Sequence, residues 1–499
     1  MKKTFSILLS LIMVFSLCAS GSSAAESAAV TETKVVSTET AEAAAQAPAE
    51  GAPTGEMPGD PPNGAPGGGM GMPPDGKGGP GGGMPGGAPG SGSSADIDYT
   101  GAVEISSADS QNGQTYASST SDESALLIST TDEVSITDPE VTKSGDSDGG
   151  DNCNFYGLNA AVLVKDGSTT TITGGTITSD AEGANGVFCY GGNGGQNGAS
   201  GDGTTLTIYD TAITTTGNGS GGIMTTGGGV TYAYNLTVET SGRSSAAIRT
   251  DRGGGTVVVD GGNYTSNGLG SPAIYSTADI TVSNATLTSN LSEGVCIEGL
   301  NSITLVDCDL TANNTQCNGN ATFLDTIMIY QSMSGDAASG TSSFTMTGGS
   351  LTSKNGHVFH VTNTSAVITL EGAEIVNEDA DNILLSVCAD GWSGGSNVAT
   401  LKAIAQKLAG AIKVGSDSRL TLELTDGSTF EGCIDGSIVN AKGETVSTEV
   451  GTVSVTLDST STWTLTGDSY VTEFNGDAAN VLSNGYTLYV DGAALTGTK

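Results

Sequence analysis

Three charged residues near the middle of the chain are the first candidates for chemistry. Arg249, Asp251 and Arg252 lie in the phrase AAIRTDRG. If Ile248 points inward from a strand, period-two alternation places Arg249 and Asp251 outward on one face. Tyr275, one repeat further on, is then expected beside Arg249. Such a face can bind an acidic sugar by charge-assisted hydrogen bonds and ring stacking. A surface Arg–Asp pair beside a turn is the alternative.

A second candidate is a short acidic stretch, GDSDGGDN, which contains Asp146, Asp148 and Asp151. Closely spaced carboxylates on flexible glycines suit a hard cation such as calcium. The spacing departs from the EF-hand pattern, which requires a later glutamate. A solvated acidic loop is therefore the alternative to a calcium site.

Other residue types that support chemistry are sparse. His357 and His360 are the two histidines of the chain. In a regular strand HVFH they face opposite sides, so we expect no catalytic pair. Nucleophile elbows, P-loops and zinc-protease motifs do not occur. Trp392, in the glycine-rich phrase ADGWSGGSN, can stack on a sugar. Accordingly, no catalytic residue is assigned.

These residues belong to a repeating sequence. The phrase TTITGGTITS, at 170–179, has Ile172 and Ile177 five positions apart, and similar phrases recur along the chain. The first apolar positions of these phrases are 136, 172, 208, 233, 259, 282, 305, 346 and 370, at intervals of 36, 36, 25, 26, 23, 23, 41 and 24. A period of 23–26 residues with occasional insertions is typical of a stacked repeat.

Each repeat contains about three short apolar phrases separated by Gly and Asn corners. This pattern predicts an all-β fold, a right-handed parallel β-helix, over residues 96–499. From about residue 398 the coils are expected to lengthen and to end in a cap. Residues 401–413 have helical apolar spacing, but we expect strands, because a lone helix would interrupt the stack. Insertions are expected at 143–157, 190–203 and 313–323.

Composition limits the functional classes. The chain has 54 acidic and 16 basic residues and a formal net charge of −38. Nucleic-acid binding and attachment to an anionic membrane surface are disfavoured, because both require clustered Lys and Arg. A hydrophobic fraction of 36% suits a solenoid, whose coils each bury only a narrow strip.

The N-terminal segment has the pattern of an export signal. Lys2 and Lys3 precede an apolar run, Phe5–Leu17, that is too short to span a membrane. Cleavage would remove residues 1–25, whereas lipidation of Cys18 is the alternative. Residues 26–95 are Ala/Glu-rich and then Gly/Met/Pro-rich, and are expected to form a disordered tether.

Seven cysteines follow Cys18 at wide spacings without a CxxC motif. Buried single thiols are the expected state, with a disulfide between Cys308 and Cys317 as an alternative.

The phrases SAAIRTDRGGGTV, GSPAIYSTADITVS, MIYQSMSGDA and STWTLTGDSY together resemble secreted adhesin-like, right-handed parallel β-helix repeat proteins. The resemblance covers about residue 96 to the C-terminus, and the Gly/Met/Pro tether is similar too. This group is related to pectate-lyase-like solenoids, of which some are enzymes and others bind carbohydrate without catalysis. The resemblance implies an exported, surface-associated binding protein and transfers no site residues.

Three functions follow as hypotheses. The first is a monomeric, non-catalytic cell-surface protein that binds a polysaccharide or another surface ligand through Arg249, Asp251, Arg252, Tyr275 and Trp392. The second is a calcium-dependent polysaccharide lyase or a glycoside hydrolase. Lyases of this fold commonly place a basic residue beside calcium-binding carboxylates. The third is a structural stalk without a specific ligand.

Overall fold

The computed structural model describes residues 97–147, 149–194 and 200–499, and these residues form an all-β parallel β-helix. Within these ranges, 13 strands form one sheet, here called sheet 1, and 22 strands form a second, here called sheet 2. Most coils contribute one strand to sheet 1 and two to sheet 2. Neighbouring strands within both sheets pair in parallel.

The first half of the described chain contains the strands β1 (Thr100–Ile105), β2 (Asp109–Asn112), β3 (Thr115–Ser118), β4 (Glu123–Ser129), β5 (Glu133–Thr137), β6 (Glu140–Lys143), β7 (Val162–Lys165), β8 (Thr169–Thr173), β9 (Thr176–Ser179), β10 (Val187–Tyr190), β11 (Thr205–Tyr209), β12 (Ala212–Thr215), β13 (Ile223–Thr226), β14 (Gly229–Thr240), β15 (Ile248–Thr250), β16 (Gly255–Ser266), β17 (Ile274–Ser276), β18 (Asp279–Ser283), β19 (Thr286–Ser289), β20 (Val295–Glu298), β21 (Ser302–Val306) and β22 (Asp309–Ala312). The second half contains β23 (Asp325–Tyr330), β24 (Thr341–Thr347), β25 (Ser350–Ser353), β26 (His357–Thr362), β27 (Thr364–Glu371), β28 (Glu374–Asn377), β29 (Ile383–Val387), β30 (Asn397–Ile404), β31 (Lys407–Ala409), β32 (Ala411–Val414), β33 (Ser418–Thr425), β34 (Thr429–Gly432), β35 (Ile434–Asp435), β36 (Ile438–Val439), β37 (Thr445–Ser447), β38 (Thr452–Leu457), β39 (Thr462–Leu465), β40 (Ser469–Val471), β41 (Glu473–Asn475), β42 (Val481–Leu482), β43 (Leu488–Val490) and β44 (Ala493–Ala494). The described helices are α1 (Asp151–Tyr156) and a 3₁₀ turn, Ala478–Asn480.

The apolar row predicted from the repeat is a continuous ladder in the interior of the β-helix. Each member pairs in register with the next and is almost completely buried. The ladder runs Ile136, Ile172, Ile208, Ala233, Val259, Val282, Leu305, Met346 and Leu370. The predicted fold is therefore confirmed, and coils of different length keep the same interior register.

Polar residues form the corners between the two strands that a coil contributes to sheet 2. Asp210, Asn235 and Asn284 have left-handed backbones there, with φ of 50°, 55° and 54°. Asp and Asn tolerate this conformation better than other residues with a side chain. The chain can consequently turn within about four residues, which explains the short polar stretches inside each repeat.

The corner that precedes the sheet 1 strands is closely packed. Ser220, Ser245 and Ser271 are fully buried and form a ladder across three coils. The Ser220 amide donates to Ser245 Oγ at 2.9 Å, and the Ser245 amide donates to Ser271 Oγ at 2.8 Å. These bonds satisfy backbone groups that lie outside the sheets.

Residues 401–413 form strands, as expected. Leu401, Leu408 and Ile412 lie on β30, β31 and β32 and are all buried in the core. Their helix-like spacing arises because each belongs to a different short strand. Leu424 pairs in register with Leu457, 33 residues further along the chain, so the coil between them is longer than the 23–26-residue period. Beyond Leu457, the terminal β43 instead pairs with β40 and, in antiparallel fashion, with β44.

The first predicted insertion contains a helix, which the sequence interpretation did not anticipate. In α1, Cys153, Phe155 and Tyr156 are buried. Phe155 and Tyr156 pack with residues such as Leu163 and Phe188 that project outward from sheet 1. The helix forms because this part of the outer face is apolar and requires a cover.

Candidate functional site

The outward face of sheet 1 carries the sequence-predicted site. Ile248 is completely buried in the core, and Arg249 projects from the opposite face of β15. Arg249 pairs in register with Met224 on one side and with Tyr275 on the other. Tyr275 is the neighbour expected from the repeat, so its predicted placement beside Arg249 is confirmed.

Arg249 is held by groups from three parts of the chain. Its guanidinium donates to Asn154 Oδ1 at 3.1 Å, to the Ser244 carbonyl at 3.0 Å and to Asp251 Oδ2 at 2.7 Å. It also lies 5.8 Å from the centre of the Tyr275 ring. The side chain is only 13% exposed, so this arginine is oriented before any ligand arrives.

Arg252 is paired with a carboxylate that sequence reasoning missed. Its Nη2 atom lies 2.6 Å from Asp336 Oδ1, and its guanidinium lies 4.2 Å from the centre of the Phe155 ring. Burial raises the pKa of Asp251 to about 6, with a contribution from Asp336 that Arg249 opposes. The outward face thus brings two arginines and two carboxylates together.

An aromatic cluster lies next to these charges. The hydroxyls of Tyr275 and Tyr330 donate to Glu298 Oε2 at 2.7 and 3.2 Å. Ser332 Oγ donates to the other carboxylate oxygen of Glu298. The half-buried ring of Trp392 lies 4.8 Å from that of Tyr330, centre to centre. The structure therefore brings Trp392 into contact with the group that contains Tyr275.

A polar cleft of about 200 Å³ lies beside Arg249. Asn318, one of its lining residues, accepts a hydrogen bond at Oδ1 from the exposed Arg243 at 3.0 Å. The cleft is lined by Ser244, Ala246, Arg249, Gly270, Pro272, Tyr275 and Asn318. Its guanidinium, hydroxyl and amide groups can donate and accept hydrogen bonds, and the Tyr275 ring adds an apolar surface.

The residues that the sequence interpretation missed come from connecting segments. Asn154 lies in α1, Asn318 in the segment between β22 and β23, and Asp336 in the segment between β23 and β24. The interval of 41 residues between the paired Leu305 and Met346 indicates that this coil carries extra chain. That interval indicated extra chain around Asn318 and Asp336, but the length of an insertion does not show which coil the insertion packs against.

The predicted calcium residues are only partly described. Asp146 Oδ1 accepts from the Glu182 amide at 2.9 Å, Asp151 begins α1, and Asp148 lies outside the described residues. Within the described ranges, no group of three or more His, Cys, Asp or Glu side chains is placed to hold a metal ion. Calcium binding by this loop stays a prediction.

The expectation that His357 and His360 face opposite sides is wrong. Both Nδ1 atoms lie 2.7 Å from Ser386 Oγ. The reason is local: Val358 and Phe359, between the histidines, both pack into the core cluster, so alternation breaks at this point of β26. The two imidazoles consequently converge on one buried hydroxyl.

No disulfide joins the cysteines in the described part of the chain. Cys308 Sγ contacts the Val282 carbonyl at 3.3 Å, and Cys317 Sγ contacts the Phe323 carbonyl at 3.4 Å, so the alternative disulfide does not form. Cys18, the candidate lipidation site, lies outside the described residues. None of the helices in the described ranges is long and apolar enough to cross a membrane.

The fold defines the chain as a parallel β-helix protein with a polar cleft on one outer face. A scan against protein-family models, a search of curated proteins and a search of solved structures each found no match to it.

Proposed function

We propose that the protein is an exported, non-catalytic cell-surface protein that binds carbohydrate in the cleft beside Arg249. The observation that carries this proposal is the cleft itself, in which a preoriented arginine, a tyrosine ring and polar side chains converge. A sugar presents hydroxyls at its edge and C–H groups on its faces, and so needs both kinds of partner. Preorientation limits the ordering cost of binding.

The charges favour sugar hydroxyls over a sugar carboxylate as the recognised groups. Arg249 and Arg252 already face Asp251 and Asp336 at 2.7 and 2.6 Å. An incoming carboxylate would compete with these partners and would approach a chain whose net charge is −38. Neutral polysaccharides are therefore the first candidates. Export through residues 1–25, with or without lipidation of Cys18, and elevation by the 26–95 tether belong to the same proposal.

Replacement of Tyr275 by Ala is expected to weaken carbohydrate binding at least about tenfold, equivalent to about 1.4 kcal/mol. The change removes the ring surface of the cleft without removing a charge. The measurement is affinity electrophoresis through gels that contain galactomannan, xyloglucan or polygalacturonate, with and without calcium. Tyr209→Ala is the matched control, because this tyrosine is 36% exposed but lies on sheet 2.

Two results would contradict the binding proposal. If the native protein migrates unretarded in every gel, the structural-stalk hypothesis is favoured. If Tyr275→Ala and Tyr209→Ala are retarded as strongly as the native protein, carbohydrate binds elsewhere on the chain. A requirement for calcium in the retarded gels would support the acidic-loop site at Asp146, Asp148 and Asp151.

One observation favours a second candidate, a glycoside hydrolase or a polysaccharide lyase. Asp251 and Asp336, which belong to different coils, lie beside two arginines on the outer face of the β-helix, and a carboxyl with a pKa of about 6 suits a general acid. Release of reducing or unsaturated sugars from the same polysaccharides, abolished in Asp251→Asn, would replace the non-catalytic proposal. The 4% exposure of Asp251 favours binding without catalysis.

A further inference from the structure

The third predicted insertion, residues 313–323, connects the cleft with the buried histidines and is called here the lid loop. At its tip, Asn318 lines the cleft and accepts a hydrogen bond from Arg243. At its base, the backbone amide and the hydroxyl of Thr322 donate to Asp390 Oδ1 at 2.9 and 2.5 Å. A displacement of the base would therefore move one wall of the cleft.

The base of the lid loop covers the histidine pair directly. The Phe323 ring stacks on His360 with centroids 4.6 Å apart, and its centre lies 5.4 Å from that of His357. His360 and Ser386 are completely buried, and His357 is 9% exposed. Cys388 lies under the same cover, in a buried cluster with Phe323. Phe323, at the base of the loop, therefore shields these groups from most of the solvent, together with Ile438 and Val446.

One placement of the protons satisfies both hydrogen bonds between Ser386 Oγ and the two imidazoles. A hydroxyl has a single proton, so Ser386 can donate to one imidazole and must accept from the other. Nε2 of His360 lies 3.5 Å from Asp390 Oδ2, which favours a proton on that nitrogen and leaves Nδ1 of His360 to accept from Ser386. His357 then donates its Nδ1 proton to Ser386. His357 is neutral in this arrangement.

An additional proton disrupts the arrangement. If His360 takes it, both imidazoles donate to Ser386 Oγ, and the hydroxyl proton loses its acceptor in a buried site. If His357 takes it, the charge lies under Phe323. The titratable groups that act on His357 are His360 on the same strand, Asp379 and Asp390 near the two ends of β29, and Lys413 on β32; Asp325 pairs with it on β23. The hydrogen-bond partner of His357 Nδ1 is the Ser386 hydroxyl rather than a carboxylate.

We propose that the lid loop is a proton-sensitive wall of the cleft, in which protonation of His357 opens the loop and weakens ligand binding. The opening depends on the contacts of the loop with the histidine pair and on the protonation of His357, and needs no ligand. The effect on binding rests on the carbohydrate function proposed above.

The direction and size of the effect follow from linkage. Burial, aided by His360, lowers the pKa of His357 from 6.5 to about 3 in the closed structure. The stability of the closed loop is therefore fully present above pH 6.5 and is lost as the pH falls toward 3. With His357 titrating at its ordinary value in the open loop, the open-to-closed ratio rises about 30-fold between pH 7.5 and pH 5.

Cys388 provides a direct test because its thiol is buried under the lid loop. The full chain is pulse-labelled with 4,4′-dithiodipyridine at pH 7.5 and pH 5, and each cysteine is quantified by mass spectrometry relative to the unfolded chain at the same pH. We expect normalised labelling of Cys388 to rise about 30-fold on acidification. Cys189, fully buried in a distant coil, is the internal control and is expected to show no such rise.

His357→Asn places an amide where Nδ1 lies and removes the titrating group, so the rise at Cys388 should disappear. A native protein whose Cys388 labelling changes no more than that of Cys189 overturns the proposal without reference to the variant.

Retardation in the polysaccharide gels at both pH values separates the lid proposal from the carbohydrate-binding proposal. A loop that opens in a protein that binds no polysaccharide supports the lid and contradicts the carbohydrate function. Binding that is equal at both pH values in spite of opening contradicts the coupling.

Discussion

Replacement of Trp463 by Ala is expected to lower the free energy of unfolding by about 3–5 kcal/mol, the usual cost of removing a fully buried tryptophan. Trp463 is completely buried in the core, stacks on Phe430 with centroids 5.5 Å apart, and pairs with it in register. Its Nε1 donates to the Gly432 carbonyl at 3.0 Å, so the substitution leaves a cavity and removes one of the two hydrogen bonds that this carbonyl accepts.

Urea unfolding followed by circular dichroism measures this loss. Because solenoid coils depend on their neighbours, the C-terminal coils are expected to unfold first in the variant. Trp392→Ala is the control, since that ring is half-buried and packs on Tyr330 outside the main core; we expect a loss of about 1 kcal/mol. Equal midpoints for the native protein and Trp463→Ala would show that this side chain does not support the coil.

Gly242→Ala is expected to cost about 3 kcal/mol or more, at the upper end of the range for overpacking. A Cβ atom at Gly242 would lie 1.8 Å from the carbonyl oxygen of Gly217 in the preceding coil. Gly268 has the same relation to Gly242, also at 1.8 Å. Backbone atoms of adjacent coils cannot move apart here without breaking the pairing of the strands that follow, so the strain has no inexpensive relief.

The matched control is Gly415→Ala. A Cβ atom at Gly415 would meet nothing closer than Cys388 Cβ at 3.3 Å, and neither Gly415 nor Gly242 has a left-handed backbone. Thermal and urea unfolding of both variants should show a large shift for Gly242→Ala and a small one for Gly415→Ala. If the two variants unfold at the same midpoint, the close approach of coils at this corner is not a constraint on stability.

The repeat made the interior of this protein predictable from its sequence. An inward residue of one coil pairs with the inward residue of the next whatever the length of chain between them, as with Leu305 and Met346. The same logic correctly placed Tyr275 beside Arg249. Such predictions succeed because parallel strands stack at a fixed spacing and an apolar row has one place to be buried.

The contacts made by the insertions were not predictable in the same way. Asn154 and Asp336 reach the arginines from segments that have no counterpart in other repeats, so no periodicity constrains them. Alternation also failed for His357 and His360, because two adjacent core residues separate them. The first kind of error falls on the candidate site, since that site is built where the regular coil is interrupted, and the second falls on the buried histidine pair.

The most direct test of the central claim, that the cleft beside Arg249 binds carbohydrate, is hydroxyl-radical footprinting of the full chain. The chain is oxidised with and without saturating fragments of galactomannan, xyloglucan or polygalacturonate, and oxidation is quantified residue by residue. We predict slower oxidation of Tyr275 in the presence of the bound polysaccharide and unchanged oxidation of Tyr209 and Tyr232 on sheet 2. Unchanged oxidation of Tyr275 with all three polysaccharides, or protection confined to the sheet 2 tyrosines, would contradict the claim.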